Sequence, residues 1–504
     1  MSVVQVPARR SALTAEAVRS MTAARSRVDR VRARATTAAA AGTGLALLIA
    51  GSVPTVQDTV STGTAQWTDA DGRPHTEDLF EAAGGLAPFL AQPGLRPGFA
   101  VAAVLLVLPF LALAVQALRV GQVVEDRRAR QLLIAGATSG DLRRLRTART
   151  TAAFVRGGLL AGPLYLVLWL VLGLALPPGY RMLPPLHWAM PVIWLAVVGV
   201  LWLLARVLGI TAFRRQDVLV WQRTGAAPGV PSRMFVLLTA VAGAVVLLAA
   251  PAVGGQVAND LLFPVFLVVA LVLFVLAAGA GAARSSAGIF RTPDTPPGTR
   301  GRRRRAVRGR GDAATGLLAD AQRRGSTTAV TGTAGVLFLC GLSFGVESAL
   351  AAGTLMDRNH TSDDLRFYLG GTALAGAVGL VAAVVAIAAL VLSLTDHLLG
   401  NRRAVASTAA LGVPTSRLVR VQALSLMRTA VPTTSLGVLV SALPYSALML
   451  GWPVQESAVW WAALLPLAVA VLVAVLMTGA CSVLAHLLRG RVRTAAALEN
   501  LRVP

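Results

Sequence analysis

Long apolar runs constrain the fold of this chain more than any other feature. About ten of them reach the roughly 20 residues that a helix needs to cross the hydrocarbon core of a bilayer. They lie near residues 35–53, 98–118, 153–176, 188–210, 234–254, 261–282, 329–351, 369–395, 429–450 and 458–486. Hydrophobic residues fill 55% of the 504 positions. We therefore predict an all-α polytopic membrane protein with about ten transmembrane helices.

The positive charge indicates how these helices are oriented. All 47 basic side chains are arginines, and the formal net charge is +24. With the amino terminus in the cytosol, ten spans leave only five arginines outside: Arg73, Arg96, Arg181, Arg358 and Arg366. This distribution follows the positive-inside rule and predicts that both termini are cytosolic. Topology and attraction to anionic lipids of the inner leaflet account for the charge, so we predict membrane lipids and no nucleic acid as partners.

Two segments on the cytosolic side repeat one pattern. They are DRRARQLLIAGATSGDLRRL (126–145) and NRRAVASTAALGVPTSRLVRV (401–421). In each, a pair of arginines precedes a glycine by about nine residues, and a Ser/Thr turn and a Leu/Arg segment follow. Each segment lies between the second and third spans of a group of four. The sequence therefore predicts a 4+2+4 arrangement, in which an extra hairpin separates two repeated four-helix units.

The positions of the spans and the composition between them set the predicted boundaries of the parts of the chain. A linker rich in Pro, Gly and Arg is predicted to be disordered, because it has too little apolar surface to bury. The outer segment 54–97 is long enough for a small cap but shorter than a usual domain. The predicted parts are a basic cytosolic N-terminal segment (1–34), a first four-helix unit (35–212), a central two-helix hairpin (213–283), the basic linker (284–316), a second four-helix unit (317–490) and a cytosolic tail (491–504).

Each repeated segment contains a break between two helices. Gly136 and Gly140 disfavour a continuous helix, whereas Thr138 and Asp141 have the spacing of a capping box that starts a new one. In the second copy Pro414 interrupts the first helix, and its fixed φ suits the first turn of the next. Leu and Arg follow both breaks, as expected of helices lying along a membrane surface. These turns are candidate binding sites for a cytosolic partner.

The repeated segments resemble the FtsX-like permease domain, the membrane subunit of a class of ABC transporters. The resemblance covers roughly residues 15–212 and 315–490, and the layout is similar to that of ten-span members linked to antimicrobial-peptide export and resistance. It implies a bacterial plasma membrane protein whose two turns bind a separate ATPase dimer. The implied ATPase contacts are Leu133, Gly136, Ala137, Leu142 and Arg143 in the first copy, and Ala409, Gly412, Val413, Leu418 and Arg420 in the second. Many relatives carry a large outer domain, whereas this chain has only short outer segments.

The chain itself lacks the residues that ATP hydrolysis needs. It contains no lysine, so it cannot form the phosphate-binding loop of an ATPase. Its five histidines do not have the spacing of a metal site. We therefore predict a non-catalytic subunit with no catalytic, cofactor-binding or metal-binding residues, and with ATP hydrolysis in a partner chain.

The expected function is ATP-driven export or extraction of an amphipathic substrate, such as a peptide, lipid or antibiotic, or mechanical signalling across the membrane. One alternative is a regulatory module that controls a sensor kinase or a cell-wall hydrolase without transport, which adds an extracytoplasmic or sensor protein as a partner. Another is an ATP-independent transporter with internal repeats, whose activity would depend on Glu347. The span centres are nearly free of ionisable residues, which argues against that second alternative.

Overall fold

A computed structural model describes most of the predicted helices. The described residues are 27–56, 61–68, 74–80, 86–87, 90, 96–119, 121–175, 181–214, 232–254, 262–287, 315–320, 327–356, 362–400, 402–450 and 456–501. The predicted N-terminal segment lies outside these residues except for 27–34. Most of the predicted disordered linker also lies outside them.

The described part of the chain contains thirteen α-helices, which are labelled α1 to α13 in chain order. They are Arg27–Ser52, Arg96–Arg119, Gln122–Ile134, Ser139–Ala175, Met190–Arg214, Arg233–Gly254, Leu262–Ala287, Thr327–Met356, Ser362–Gly400, Arg402–Ala410, Thr415–Leu450, Glu456–Leu487 and Arg489–Ala495. Short 3-10 turns follow α1 at Val53–Thr55 and α13 at Leu498–Leu501. A further helical stretch covers residues 315–320.

Five described helices are long and apolar enough to cross a membrane. By length and composition these are Asp29–Thr55, Gly140–Ala175, Met190–Gly209, Thr415–Ala442 and Leu464–Leu487. Shorter apolar stretches lie within α2, α6, α7, α8 and α9, at Ala102–Leu118, Arg233–Val246, Val272–Ala282, Ala334–Ala349 and Gly379–Leu392. The most apolar window of α1 is 56% buried inside the protein, whereas that of α4 is only 17% buried. An apolar helix that leaves most of its surface uncovered suits a lipid environment, so the chain is a membrane-embedded protein.

The helices of two groups pack in the same order. In the first, α1 contacts α2, α4 and α5, and α4 also contacts α5. In the second, α8 contacts α9, α11 and α12, and α11 also contacts α12. The two groups meet where α2 packs against α8 and α9. The hairpin of α6 and α7 joins them, because α7 packs against α8 and α2. The first helix of each group therefore lies at its centre.

Glycines bring the first and third helices of each group into backbone contact. A methyl group added at Gly437 of α11 would overlap the carbonyl oxygen of Phe338 in α8, and one at Gly341 would overlap the carbonyl oxygen of Thr434. In the first group, a methyl group at Gly157 of α4 would overlap Ala40 of α1. Such close approach is the usual basis of helix association in membranes, where lipid tails are as apolar as the helices themselves.

Buried threonines at these crossings bond to their own helices. The hydroxyl of Thr434 donates to the carbonyl oxygen of Ala430 at 2.7 Å, and that of Thr43 donates to Ala39 at 2.9 Å. Both side chains are fully buried. Small polar residues can occupy an apolar interface at little cost when the helix supplies their partners.

The outer segment 54–97 contains a hairpin that the all-α prediction did not include. Strands β1 (Ser61–Thr68) and β2 (Pro74–Phe80) pair antiparallel, with Trp67 opposite His75. Beyond the hairpin, the Ala87 amide donates to the carbonyl oxygen of Arg181 at 2.9 Å. This bond ties the segment to the loop that precedes α5.

Enlarging the tight crossing is expected to destabilise the protein. Gly437→Val should lower the free energy of unfolding by about 1–3 kcal/mol, the usual cost of overpacking a core. Gly479→Val is the matched control, because a side chain at that position of α12 meets nothing within 4 Å. Melting midpoints in detergent compare the two variants with the wild type. Equal midpoints for both variants would contradict the close crossing.

Candidate partner-binding turns

The first repeated segment ends α3 in a well-defined turn at residues 135–138. Gly136 has φ +94°, a left-handed conformation that favours glycine. Its amide donates to the carbonyl oxygen of Leu133 at 3.0 Å, and the Ala137 amide donates to that of Leu132 at 2.9 Å. These two bonds form a Schellman motif, which satisfies the last carbonyl groups of a helix.

The next helix starts with the predicted capping box. The Asp141 amide donates to Thr138 Oγ1 at 3.2 Å. In return, Asp141 Oδ2 accepts from the Thr138 amide at 3.0 Å and from the Thr138 hydroxyl at 2.7 Å. The side chains therefore satisfy free amides at the start of α4.

The second repeated segment forms the same turn at residues 411–414. Gly412 has φ +87°. Its amide donates to the carbonyl oxygen of Ala409 at 2.9 Å, and the Val413 amide donates to that of Thr408 at 3.3 Å. Aligning Gly136 with Gly412 therefore superimposes both donors and both acceptors of the Schellman motif. The two turns share one backbone design despite their different sequences.

Pro414 begins the second helix. It lies one residue before α11, and its carbonyl oxygen accepts from the Arg417 amide at 2.9 Å and from the Leu418 amide at 3.2 Å, the bonds that close the first turn. The equivalent residue in the first copy is Thr138, whose amide needs Asp141 as a partner. Proline has no amide hydrogen, so the second turn needs no carboxylate at this position.

Each turn presents one exposed aliphatic side chain that the sequence analysis did not select. Ile134 is 87% exposed at the last residue of α3, and Leu411 is 84% exposed directly after α10. Both side chains lie outside the predicted apolar spans. Their positions differ by one residue, because aligning Gly136 with Gly412 places Ile134 on Ala410. An aliphatic residue exposed beside each of two similar turns is a candidate anchor for a partner protein. The only sequence signal is a large aliphatic residue one or two positions before each turn glycine.

The predicted contact residues differ in their exposure. Gly136, Arg143, Gly412 and Arg420 are exposed, whereas Leu133, Ala137, Leu142, Ala409 and Val413 are half-buried. Leu418 is buried in the same apolar cluster as Leu398 and Val492. It therefore anchors the second turn from within, whereas its aligned residue Leu142 remains partly accessible.

Ion pairs support the first turn. Glu125 of α3 accepts from Arg32 of α1 at 2.7 Å and from Arg149 of α4 at 2.9 Å. A second pair joins Arg128 of α3 to Asp29 of α1 at 2.9 Å. Burial alone would raise the pKa of the Glu125 carboxyl, but the guanidinium groups of Arg32 and Arg149 outweigh it and hold the pKa below its ordinary value of 4.5.

Apolar packing supports the second turn. Helix α10, whose Ala406 is fully buried, packs against α13 and the Leu498–Leu501 turn beside a buried apolar cluster. That cluster includes Val492 and Ala495 of α13, with Ala409 and Val413 packed against it. The same backbone turn is therefore held by charge in one group and by the C-terminal residues in the other.

The described residues contain no group of three or more His, Cys, Asp or Glu placed to hold a metal ion. Both cysteines, Cys340 and Cys481, are buried and free. Comparison with known proteins finds no match to a family model, a curated protein or a solved structure. The resemblance to FtsX-like permeases therefore depends on the sequence of the two repeated segments.

Removing the central carboxylate should destabilise the first turn in a pH-dependent way. Glu125→Gln leaves two partly buried arginines without their shared partner, at a cost of about 1–3 kcal/mol, between the values for exposed and buried pairs. Because the native pKa of Glu125 is lowered, its contribution is fully present above pH 4.5 and is lost as the pH falls below that value.

Melting midpoints across that pH range provide the measurement. The stability difference between wild type and Glu125→Gln should shrink as the pH falls below 4.5. Asp29→Asn is the comparison variant, since its partner Arg128 is more exposed than Arg32. A difference that is constant with pH would contradict the lowered pKa.

Proposed function

We propose that this chain is the membrane subunit of an ABC transporter of the FtsX-like class. It has ten transmembrane helices in a 4+2+4 arrangement, lies in a bacterial plasma membrane and has both termini in the cytosol. The observation that carries the proposal is the pair of matched turns. Two Schellman motifs with the same donors and acceptors, each beside an exposed aliphatic residue, occur between the second and third helices of two similarly packed groups.

The matched turns suit a partner that is itself a dimer. Two copies of one protein surface can bind two similar turns, one on each copy. We propose that the partner is an ATPase dimer and that Ile134 and Leu411 each insert into an apolar pocket on one ATPase protomer. Arg143 and Arg417, exposed in the first turns of the helices that follow, favour carboxylates on the partner surface.

The packing offers a route from the first turn to the membrane helices. A force on Ile134 acts on α3, and Glu125 ties α3 to Arg32 of α1 and Arg149 of α4. Because α1 contacts the three other long helices of its group, its displacement would move the whole group. The tight crossing of α1 and α4 at Gly157 favours movement as one body.

The chain would act without catalysis of its own. It has no lysine for a phosphate-binding loop, so the partner supplies ATP hydrolysis. The movement would export or extract an amphipathic substrate, such as a peptide, lipid or antibiotic, or would signal mechanically across the membrane. Apolar surfaces exposed on α4, α5 and α12 are consistent with a substrate that approaches from the lipid phase.

Charging both anchors should release the ATPase. We expect the double variant Ile134→Glu and Leu411→Glu to retain no more than about a tenth of the ATPase that the wild type retains. A central interface residue commonly contributes more than about 1.4 kcal/mol to binding. Tagged chain is purified from its host in mild detergent. The co-purifying P-loop protein is identified by mass spectrometry, and its ATPase activity is measured.

Leu317→Glu is the matched control, since this leucine is 68% exposed in the helical stretch before α8 and lies outside both turns. It should retain the ATPase fully. Unchanged melting midpoints confirm that the variants remain folded. The proposal is wrong if no P-loop ATPase accompanies the wild type, or if the double variant holds it as well as the control does.

A further inference from the structure

The C-terminal residues form a fixed structure on the second turn. Val492, Ala495 and Ala496 are buried against the helices around it. The side-chain amide of Asn500 donates to the carbonyl oxygens of Thr494 at 2.8 Å and Ala495 at 3.1 Å, which closes the end of α13. These contacts hold the Leu498–Leu501 turn against α10.

This arrangement leaves a second aliphatic side chain exposed next to the second turn. Leu498 is 63% exposed at the start of the 3-10 turn. Its turn packs on α10, the helix that ends one residue before the exposed Leu411. Arg491 and Arg493 on the adjoining helix are also exposed, as is Glu499 next to Leu498. An apolar centre edged by two arginines and one carboxylate therefore extends from the turn onto the C-terminal residues.

We infer that Leu498 and its turn form part of the second binding surface and contact the same ATPase protomer as Leu411. The inference rests on the proposed function and extends it to residues outside the repeated segments. The partner surface that fits has an apolar pocket for the two leucines and carboxylates facing Arg491 and Arg493. Because Asn500 and the buried alanines already order the turn, binding costs little conformational entropy.

The two ATPase contacts are then unequal. The described residues around the first turn support α3 through ion pairs and contain no counterpart of α13 packed on it. Among the described residues, the second surface offers two exposed aliphatic anchors, Leu411 and Leu498, and the first turn offers Ile134.

Three single variants test this inference in the co-purification assay. Leu498→Glu should retain about a tenth of the ATPase that the wild type retains, because it places a carboxylate opposite the carboxylates of the partner surface. Leu498→Met keeps an apolar side chain of similar volume and should retain the wild-type amount. Leu317→Glu controls for adding a charge at an exposed leucine elsewhere.

The outcomes separate the inference from the proposed function. If the Ile134→Glu and Leu411→Glu variant releases the ATPase but Leu498→Glu retains it, the proposed function stands and the C-terminal contact is wrong. If no variant at the turns releases the ATPase, the proposed function is itself wrong. A loss with Leu498→Glu at an unchanged melting midpoint, together with retention by Leu498→Met, supports direct contact. A loss with Leu498→Met equal to that with Leu498→Glu would overturn it.

Discussion

Backbone contact between the first and third helices of each group underlies the rest of this structure. A membrane offers no gain from hiding one apolar helix against another, so association depends on how closely two backbones approach. Gly341, Gly437 and Gly157 permit that approach. Because α1 and α8 each contact three long helices of their group, these crossings lie at the centre of each group. The helix that follows each turn, α4 or α11, takes part in its crossing.

The two turns show how one backbone geometry can be held by different forces. Around the first, Glu125 shares two guanidinium groups from separate helices. Around the second, Leu418 and Val492 pack in an apolar cluster. Charge interactions weaken in salt and acid, whereas apolar packing is largely insensitive to both. The two turns therefore share one backbone shape and differ in what supports it.

Local features could be predicted from the sequence because the interactions responsible span only a few residues. Gly136 and the pair Thr138 and Asp141 define the first turn through bonds within five positions along the chain. The solvent exposure of individual side chains could not be predicted from such short-range patterns. The resemblance implied that Leu418 contacts an ATPase, but Val492, far along the chain, belongs to the cluster that buries it.

Features that depend on distant residues were missed for the same reason. The bond between Arg32 and Glu125 joins helices whose proximity no short pattern reveals. The packing of α13 on the second turn needs the whole second group to be in place. The hairpin of β1 and β2 was expected only as an unspecified cap, since its short strands lack a strong alternation of apolar and polar residues.

Site-specific photo-crosslinking in the living host tests the central claim most directly. A photoreactive amino acid is placed singly at Ile134, at Leu411 and, as a control, at Leu317, all of which are exposed. Covalent products are identified by mass spectrometry. We predict that the first two positions each yield an adduct with the same P-loop ATPase and that the third yields none. Adducts only with lipid, or with proteins that lack a P-loop, would contradict the assignment of the turns as ATPase-binding sites.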